Sequence, residues 1–511
     1  MKKKISNLKI GLDEELEEKL KLKDPNFSDY RVLKKSLDAR GNKTPEFVYT
    51  LDLYSRGAKA PKIKFNLEKS KLPKNMEKPI IVGSGPAGLF AALRLVERGI
   101  SCILLEQGTQ TKERLKDIAQ YWRKGHLNPD NNVCHGEGGA GLFSDGKLIT
   151  RIKSPHIEYV MNQLVRFGAP EEIEYLSNPH VGSDKIRRVI PIMRDYLEAN
   201  GCTIHFNTKM EKLITANGNI TGVITAKGKQ FNSNHVVLAC GHSATDLFHT
   251  LKEQDVYMET KPFAIGLRVE HPQDVINQIQ YKKHYNHPKL SAANYKLTYN
   301  NTDKSVGVYS FCMCPGGFVL TSSTEAGTVV SNGMSNYRRN SPYANSAIVV
   351  TFDPPDINDV FSGLKYRSKI EKQAYKLVTN EGGNRELPAQ YLTDFIINKK
   401  SGQLDKSSSL SGTVGTNLNP LFPDKIQTEL KNAFEKFNSN MKGFIHEKAQ
   451  VFGVESRTSC PIRITRDKDS LESLSHSGLY PCGEGAGYAG GITSAACDGI
   501  NVAEKIYELT K

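Results

Sequence analysis

The sequence predicts an α/β protein: a three-layer, Rossmann-like nucleotide-binding domain, an α+β domain inserted into it, and a small α/β, ferredoxin-like module in front. Three observations predict this. Residues 78–108, KPIIVGSGPAGLFAALRLVERGISCILLEQG, read as strand, glycine turn, helix and strand. Residues 478–508 return to strand, glycine-rich turn and helix. Between them, KPFAIGLRVEH and VGVYSFCMCPGG alternate like strands of one antiparallel sheet.

At 511 residues the chain is long enough for two or three domains, and 38% hydrophobic with 24% charged residues is an ordinary globular composition. No apolar run approaches the roughly 20 residues needed to cross a bilayer, and MKKKISNLKIGL lacks the apolar core of a secretory signal. The expected compartment is the cytoplasm, with no membrane partner. The formal charge of +14 is dispersed and interleaved with acids, as in EELEEKLKLKDP. That pattern favours a solvated surface with some attraction for anionic ligands over nucleic-acid binding. Nine cysteines, an odd number without zinc-type spacing, read as reduced, buried, small apolar residues. No metal site is expected.

Taken in order, residues 1–70 form the small module. Leu8, Ile10 and Leu12 alternate as a strand, EELEEKLKLK is a helix with Leu16 and Leu20 on one side, and EFVYTLDLYS is a second strand. KKSLDAR (Lys34–Arg40) carries no derivable mechanism, and a Pro/Lys-rich stretch at 61–79 reads as a tether. The module is a candidate surface for a protein partner.

Residues 77–255 are the first part of the nucleotide-binding domain. In Gly83-Ser84-Gly85-Pro86-Ala87-Gly88, Gly83 permits the tight turn, Gly85 lets backbone approach a pyrophosphate, and Gly88 lets helix and strand pack closely. The helix N-terminus offers free N–H groups to phosphate. Glu106, eighteen residues after Gly88, is placed to accept hydrogen bonds from ribose hydroxyls, which argues against a 2′-phosphate on this nucleotide. FAD and NAD share this fingerprint.

Three later segments decide for FAD. GEGGAGLFSDGKL (136–148) offers Gly138, Gly139, Ala140, Gly141, Ser144 and Lys147 as a second glycine loop beside a flat ring or pyrophosphate. HVVLACGHSA (235–244) runs a strand into Cys240-Gly241, where the chain passes over the nucleotide. In GLYPCGEGAGYAGGITSAACDGINVAEKIYE, within the C-terminal part at 446–511, Gly490, Gly491 and Ile492 open a helix aimed at a flavin pyrimidine edge.

Together these segments resemble the superfamily of two-domain FAD enzymes. That resemblance implies that Glu484 meets the ribityl chain, that the Met210 backbone touches adenine, and that Gly483, Gln107 and Arg114 belong to the cofactor site. The ordered set KKSLDAR, the βαβ unit, YWRKGHLNPDNNVCHGEGGAGLFSDGKL, FCMCPGG, VSNGMS, GVESRTSCPIRI and PCGEGAGYAGGITSAACDGI resembles more closely a bacterial family of uncharacterised FAD-dependent dehydrogenases. The likeness covers nearly the whole chain. Cys134-His135 depart from the family pattern and read as local packing.

No second strand–GxGxxG–helix unit is present, so NAD(P)H, if it is the electron donor, binds transiently. Candidate active-face residues come from the insert, placed at 256–445, and from the segment just after it. In GVESRTSCPIRI, Glu455 and Arg457 alternate on one side of a strand. Arg457 suits a carboxylate or phosphate and Glu455 suits proton transfer, with a structural ion pair as the rival reading. Asn332, Ser335, Asn336 and Asn345 are candidate lining residues, and Lys399–Pro420 is either a lid or a mobile loop. In FCMCPGG, Cys312 and Cys314 share a face of a regular strand with Met313 opposite. Gly316 and Gly317 are read as a wall of the flavin pocket, and Cys314 or Cys312 as the alternative, a catalytic thiol.

The expected function is an FAD-dependent oxidoreductase acting on a small anionic metabolite by hydride transfer at flavin N5. The alternatives are a flavoprotein that modifies or binds RNA, a flavin monooxygenase, and a redox-sensing module that recruits a partner. The monooxygenase reading is disfavoured by the single Trp122 and by the lack of an Asp-Gly segment in the middle of the FAD domain.

Overall fold

In the computed structural model, which describes residues 2–41, 43–61, 65, 67–70, 76–303 and 306–511, the N-terminal module is β1 (Lys2–Gly11), α1 (Leu16–Lys23), β2 (Phe27–Asp38) and β3 (Glu46–Ser55). The strand order β1-β3-β2 has β3 antiparallel to both neighbours. Leu20 of α1 packs with Leu8, Ile10, Tyr49, Leu51 and Leu53, so both alternating strands and the helix stripe were legible in sequence. KKSLDAR was not: it runs into β2, none of whose residues is fully buried, so its pattern gives no period-2 signal. Three strands and one helix are four of the six elements of the expected ferredoxin-like arrangement, without its second helix and fourth strand among the described residues. The module is docked rather than dangling. The Lys35 backbone exchanges hydrogen bonds with Tyr175 O and Ser177 N, both at 2.8 Å, and Lys289 meets Glu15 at 2.7 Å. Most of the expected tether lies outside the described residues.

The nucleotide-binding domain begins with β4 (Ile80–Val82), α2 (Pro86–Glu97), β5 (Cys102–Leu105), α3 (Thr111–Lys124), α4 (Ile157–Arg166), α5 (Ser183–Ala199) and β6 (Cys202–His205). A small antiparallel sheet follows, β7 (Met210–Ala216), β8 (Asn219–Thr225) and β9 (Gln230–Asn232), then β10 (Val236–Leu238) and α6 (Thr245–Glu253). The central sheet is parallel and ordered β10-β4-β5-β6, with one more strand outside β10 supplied from the far end of the chain. Side chains alternate across it. Ile81, Leu104 and Val237 face the helices, whereas Ile80, Val82, Leu105, Val236 and Leu238 face the small sheet. This is the three-layer arrangement the βαβ segment predicts.

The insert contributes β11 (Met258–Thr260), β12 (Phe263–Pro272), α7 (Gln273–Tyr281), β13 (Thr298–Asn301), β14 (Val306–Cys314), β15 (Gly317–Thr321), β16 (Ser331–Ser335) and β17 (Tyr343–Phe352). It continues with α8 (Ser362–Asn380), β18 (Leu387–Tyr391), α9 (Leu392–Ile396), β19 (Thr413–Gly415), α10 (Asp424–Asn440) and β20 (Gln450–Glu455). Seven of these strands form one sheet, β13-β14-β17-β12-β20-β18-β19, antiparallel except for β18–β19. Its outer face packs Ile265, Leu267, Val308, Ile348 and Val350 against helix residues such as Ile276, Leu430 and Phe434. Its inner face carries the small Ala264, Ala347 and Val349 with the rings of Tyr309 and Phe311. The boundary expected at 445 falls too early: β20 sits between β12 and β18, so the sheet needs residues 450–455.

The chain then returns through β21 (Ile462–Ile464), β22 (Leu479–Pro481), the outer strand beside β10, and α11 (Ile492–Glu508). Helix α11 lies on α2 so closely that a Cβ at Gly499 would stand 2.0 Å from Ala87 O. Glu504 ties the two helices to Arg94 (2.6 Å) and Arg98 (2.8 Å). Among the described residues no helix is long and apolar enough to cross a membrane.

Candidate cofactor and active site

A cavity of about 1480 Å³ runs from the fingerprint turn to the inner face of the seven-stranded sheet. That exceeds the usual 300–1,000 Å³ of a single small-molecule site, so it has room for a dinucleotide and a substrate together. Of the residues offered for the cofactor, Gly83, Ser84, Gly85, Pro86, Ala87, Gln107, Gly139, Ala140, Gly141, Ser144, Met210, Cys240, Gly241, Gly490, Gly491 and Ile492 line it. Gly83 (φ +103°) turns where a Cβ would collide with Ala239 O at 2.4 Å. Gly241, Gly490 and Gly491 have open space where a side chain would stand, so bare backbone faces the cavity there. The N-termini of α2 and α11 both open onto it. These features fit a bound dinucleotide with a flat ring at the α11 end.

Several expected contacts are instead scaffold. Gly88 serves packing, because a Cβ there would lie 1.9 Å from Gly83 O. Arg114 does not line the cavity. It is fully buried and donates to the carbonyls of Asn132 (2.9 Å), Val133 (2.8 Å), Gly136 (3.3 Å) and Glu137 (2.6 Å), folding the loop that precedes the second glycine cluster. Gly138 and Gly483 are likewise set back from the wall. Glu106 does line it, but its carboxylate already accepts from Ser84 N (2.9 Å), Ser84 Oγ (2.7 Å), Gly108 N (2.9 Å) and Gly136 N (3.0 Å). It thereby joins the fingerprint turn to the second loop.

Glu484 also lines the cavity, its backbone carbonyl accepting from Gly487 N at 3.0 Å while its carboxyl has no hydrogen-bond partner among the described residues. Burial pushes its carboxyl up to about 7, against the opposing pull of Lys261. Lys147, also on the wall, donates across the cavity to Met313 O.

FCMCPGG divides differently from the expectation. A bulge between Phe311 and Cys314, with Cys312 at φ +44°, breaks the alternation of β14. Cys312 therefore opens to the cavity while Cys314 is buried and off the wall, its thiol donating to Cys312 O at 3.2 Å. Both are free thiols. Although Cys312 is exposed to the cavity, surrounding protein pushes its thiol up to about 12. The wall is the first half of the motif, Phe311 to Met313. Gly316 and Gly317 pack away from it: a Cβ on Gly316 would stand 1.8 Å from Arg339 O, and one on Gly317 2.5 Å from Met334 O.

Glu455 and Arg457 both reach the cavity, and each is held in its own buried ion pair. Arg268 grips Glu455 at 3.0 and 3.1 Å. Burial raises the Glu455 carboxyl, against the pull of that guanidinium. Arg457 grips Glu371 at 3.0 and 2.8 Å and donates to Ser243 (3.1 Å) and Thr324 (2.7 Å). Burial weighs against the Arg457 charge, but the Glu371 carboxylate outweighs it and raises the guanidinium above its ordinary value.

Of the four polar candidates only Asn332 lines the cavity. Ser335, Asn336 and Asn345 are bonded to Asp145, Ser183 and Arg268 respectively. None of Lys399–Pro420 lines it, and within that segment Ser408 N is pinned by the buried Glu270 carboxyl at 3.1 Å. Cys134 and His135 do line the cavity, bonded through their backbones to Asn132 Oδ1 at 2.9 and 3.2 Å.

Sequence reasoning missed His242, which follows Cys240-Gly241 into the cavity. Burial, with Arg367 and Arg457, pushes it down to about 3, so it stands there as a neutral imidazole. It also missed Tyr309, whose alternation with Phe311 was visible in VGVYSF.

Residues 262–458 match the model of a FAD-dependent protein, C-terminal domain-like; residues 78–125 match an FAD binding domain, and residues 2–54 a domain of unknown function. The chain is 40% identical over 529 residues to an uncharacterised protein of Clostridium beijerinckii, covering 99% of this chain and 98% of that one. Among solved structures it is similar to an oxidoreductase from Methanosarcina mazei (11% identity, 84% of this chain and 100% of that one, TM-score 0.35). It is also similar to an L-amino acid deaminase from Proteus myxofaciens in complex with anthranilate (12% identity, 88% and 93%, TM-score 0.33). The glycine cradle, the two helix N-termini, the matching family models and the 40%-identical relative agree: the chain belongs to a family of uncharacterised FAD-dependent oxidoreductases.

Proposed function

We propose that this FAD-dependent oxidoreductase acts on a small anionic organic molecule by hydride transfer at the flavin N5, with a nicotinamide nucleotide as transient electron donor. One observation carries the reading: the cavity continues beyond the glycine cradle to the inner sheet face, where Tyr309, Phe311 and Cys312 make an apolar wall near Lys147, Arg151 and Lys296. Aromatic rings hold an apolar body and the cations hold its charge.

FAD supplies the two-electron chemistry when bound. The Gly83–Ala87 turn and the α2 N-terminus would hold its pyrophosphate, with Glu106 and Met210 towards the adenosine and Glu484 towards the ribityl chain. Around it the protein excludes water with the wall of β14 and offers a fixed positive end at the first turn of α11, beside Gly490 and Gly491. Lys147 orients an anionic group while tied to Met313 O. Glu455, whose carboxyl burial raises against the pull of Arg268, is a cavity-facing group placed to hold or pass a proton.

The test is spectroscopic. Purified protein should be yellow with a flavin spectrum, and NADH or NADPH should bleach it anaerobically. Aromatic or branched carboxylates should then perturb the spectrum, and a panel of neutral analogues should not. A protein that stays colourless after FAD is added would sink the reading.

A further inference from the structure

Between α6 and α8 lies a second concavity of about 680 Å³, a size suited to one small molecule. Its outer wall is Lys365, Lys369, Lys372 and Lys376, spaced four, three and four apart and therefore on one face of α8. At about 1.5 Å of rise per residue the row is about 16 Å long. All four lysines are exposed. Lys365 is engaged by Asp359 at 2.6 Å, but Lys369, Lys372 and Lys376 have no ion-pair partner among the described residues.

Two of the three acids of the groove are, by contrast, already paired. Asp246 meets Lys209 at 3.1 Å, and Glu371 meets Arg457 at 2.8 Å and Arg367 at 3.8 Å. Glu325 lies in the field of Arg457 and Arg367. The uncompensated charge is thus positive and sits on the lysine row. Thr245, Asp246 and Glu325 form a wall common to this groove and to the cofactor cavity, which makes the two neighbours.

We propose that this groove binds nicotinamide dinucleotide phosphate, with Lys369, Lys372 and Lys376 on its phosphates and its nicotinamide end directed past Thr245 towards the cofactor cavity. The proposal rests on the reading of a nicotinamide-fed FAD oxidoreductase. The chain has no second strand–GxGxxG–helix unit, and the glycine turn before α11 is given to the flavin, so side-chain charge is left to hold the phosphates of a second nucleotide. Three unpaired ammonium groups in a row suit a ligand that carries a pyrophosphate and a separate 2′-phosphate. The groove is concave and of single-ligand volume, which favours a nucleotide over the flat face of an acidic protein.

The experiment titrates FAD-loaded protein with NADP⁺ and with 2′,5′-ADP by calorimetry, in the wild type and in Lys369→Glu/Lys372→Glu/Lys376→Glu. The expected result is at least tenfold weaker binding of both ligands in the variant and wild-type affinity that falls with added salt. FAD content and the flavin spectrum should stay unchanged. Should the glutamate variant not fold, the triple alanine variant gives the same readout. Affinity within about twofold of wild type in a folded variant would overturn the proposal, as would equally tight wild-type binding of ATP. NADPH bleaching the flavin in the variant at wild-type half-saturation overturns the groove but leaves the oxidoreductase reading standing. Wild-type protein that takes up no FAD would count against that reading instead.

Discussion

Arg268 and Glu455 meet on neighbouring strands, β12 and β20, as a two-pronged pair at 3.0 and 3.1 Å whose guanidinium has no exposed surface. A buried pair of this kind is expensive to break from one side, because the remaining charge has no water to turn to. Glu455→Ala is expected to destabilise the protein by about 3–5 kcal/mol. Arg268→Met with Glu455→Leu should recover much of that loss, measured by denaturant unfolding. Lost turnover in a Glu455→Gln protein of native stability would instead assign the carboxyl to proton transfer.

Arg114 should matter to FAD without touching it. Lysine cannot reproduce the planar fork that reaches four carbonyls, so Arg114→Lys should leave the 132–137 loop underheld. Losing two such bonds, at about 1 kcal/mol each, predicts FAD affinity down on the order of tenfold or more. Fluorescence titration of the apoprotein measures it, and unaltered affinity would show that the loop holds itself.

Two buried carboxyls set a pH dependence. Burial raises Glu270 and Glu484 each to about 7. A folded-state value above the unfolded one means the folded protein keeps the proton longer. The contribution is fully present below the unfolded carboxyl value, about 4.5, and is lost as pH rises through about 7. Apoprotein stability should therefore slope downward across that window, by at most about 1.4 kcal/mol per pH unit for each group. Glu270→Gln, which can still meet Ser408, should flatten the slope in melts taken at successive pH values.

Cys312 is open to the cavity yet pushed up to about 12, so at neutral pH it is almost all thiol. Alkylation of the folded protein at that residue, followed by peptide mass analysis, should be slow at pH 7 and accelerate with pH. Cys312→Ser should keep turnover. Rapid labelling at pH 7, with turnover lost in step, would restore the catalytic-thiol alternative.

The glycines of FCMCPGG and of the C-terminal turn should part company. Gly316→Ala places a Cβ against Arg339 O at a positive φ and should cost more than about 2 kcal/mol. Gly490→Ala meets open space and should change stability by no more than about 0.5 kcal/mol, its effect appearing in FAD affinity alone. Thermal melts with and without FAD separate the two.

What the sequence revealed follows from what local patterns encode. The βαβ unit was legible because each glycine meets a local steric demand, and the strands carrying Tyr309 and Phe311 because alternation reports burial on one face, although it did not single out Tyr309 as a cavity residue. Partners far apart in the chain were not legible. Glu455 with Arg268, 187 residues away, and Arg457 with Glu371, 86 away, leave no local trace, so the rival ion-pair reading could not be weighed from spacing. Arg114 was misplaced for the same reason: a guanidinium that organises backbone and one that touches phosphate look alike in sequence. The regular pattern of FCMC hid the bulge that turns Cys312 and Cys314 apart.

Strand β20 gives the insert no clean exit. It is made just before the chain re-enters the nucleotide domain, yet it lies between β12 and β18. The seven-stranded sheet therefore stays split, with two raw inner edges, until nearly nine-tenths of the polypeptide exists. Those edges are the kind that pair with other chains. During synthesis the sheet of the insert therefore cannot close before residues 450–455 are made, and an insert cut at 445 would leave the facing edges of β12 and β18 bare.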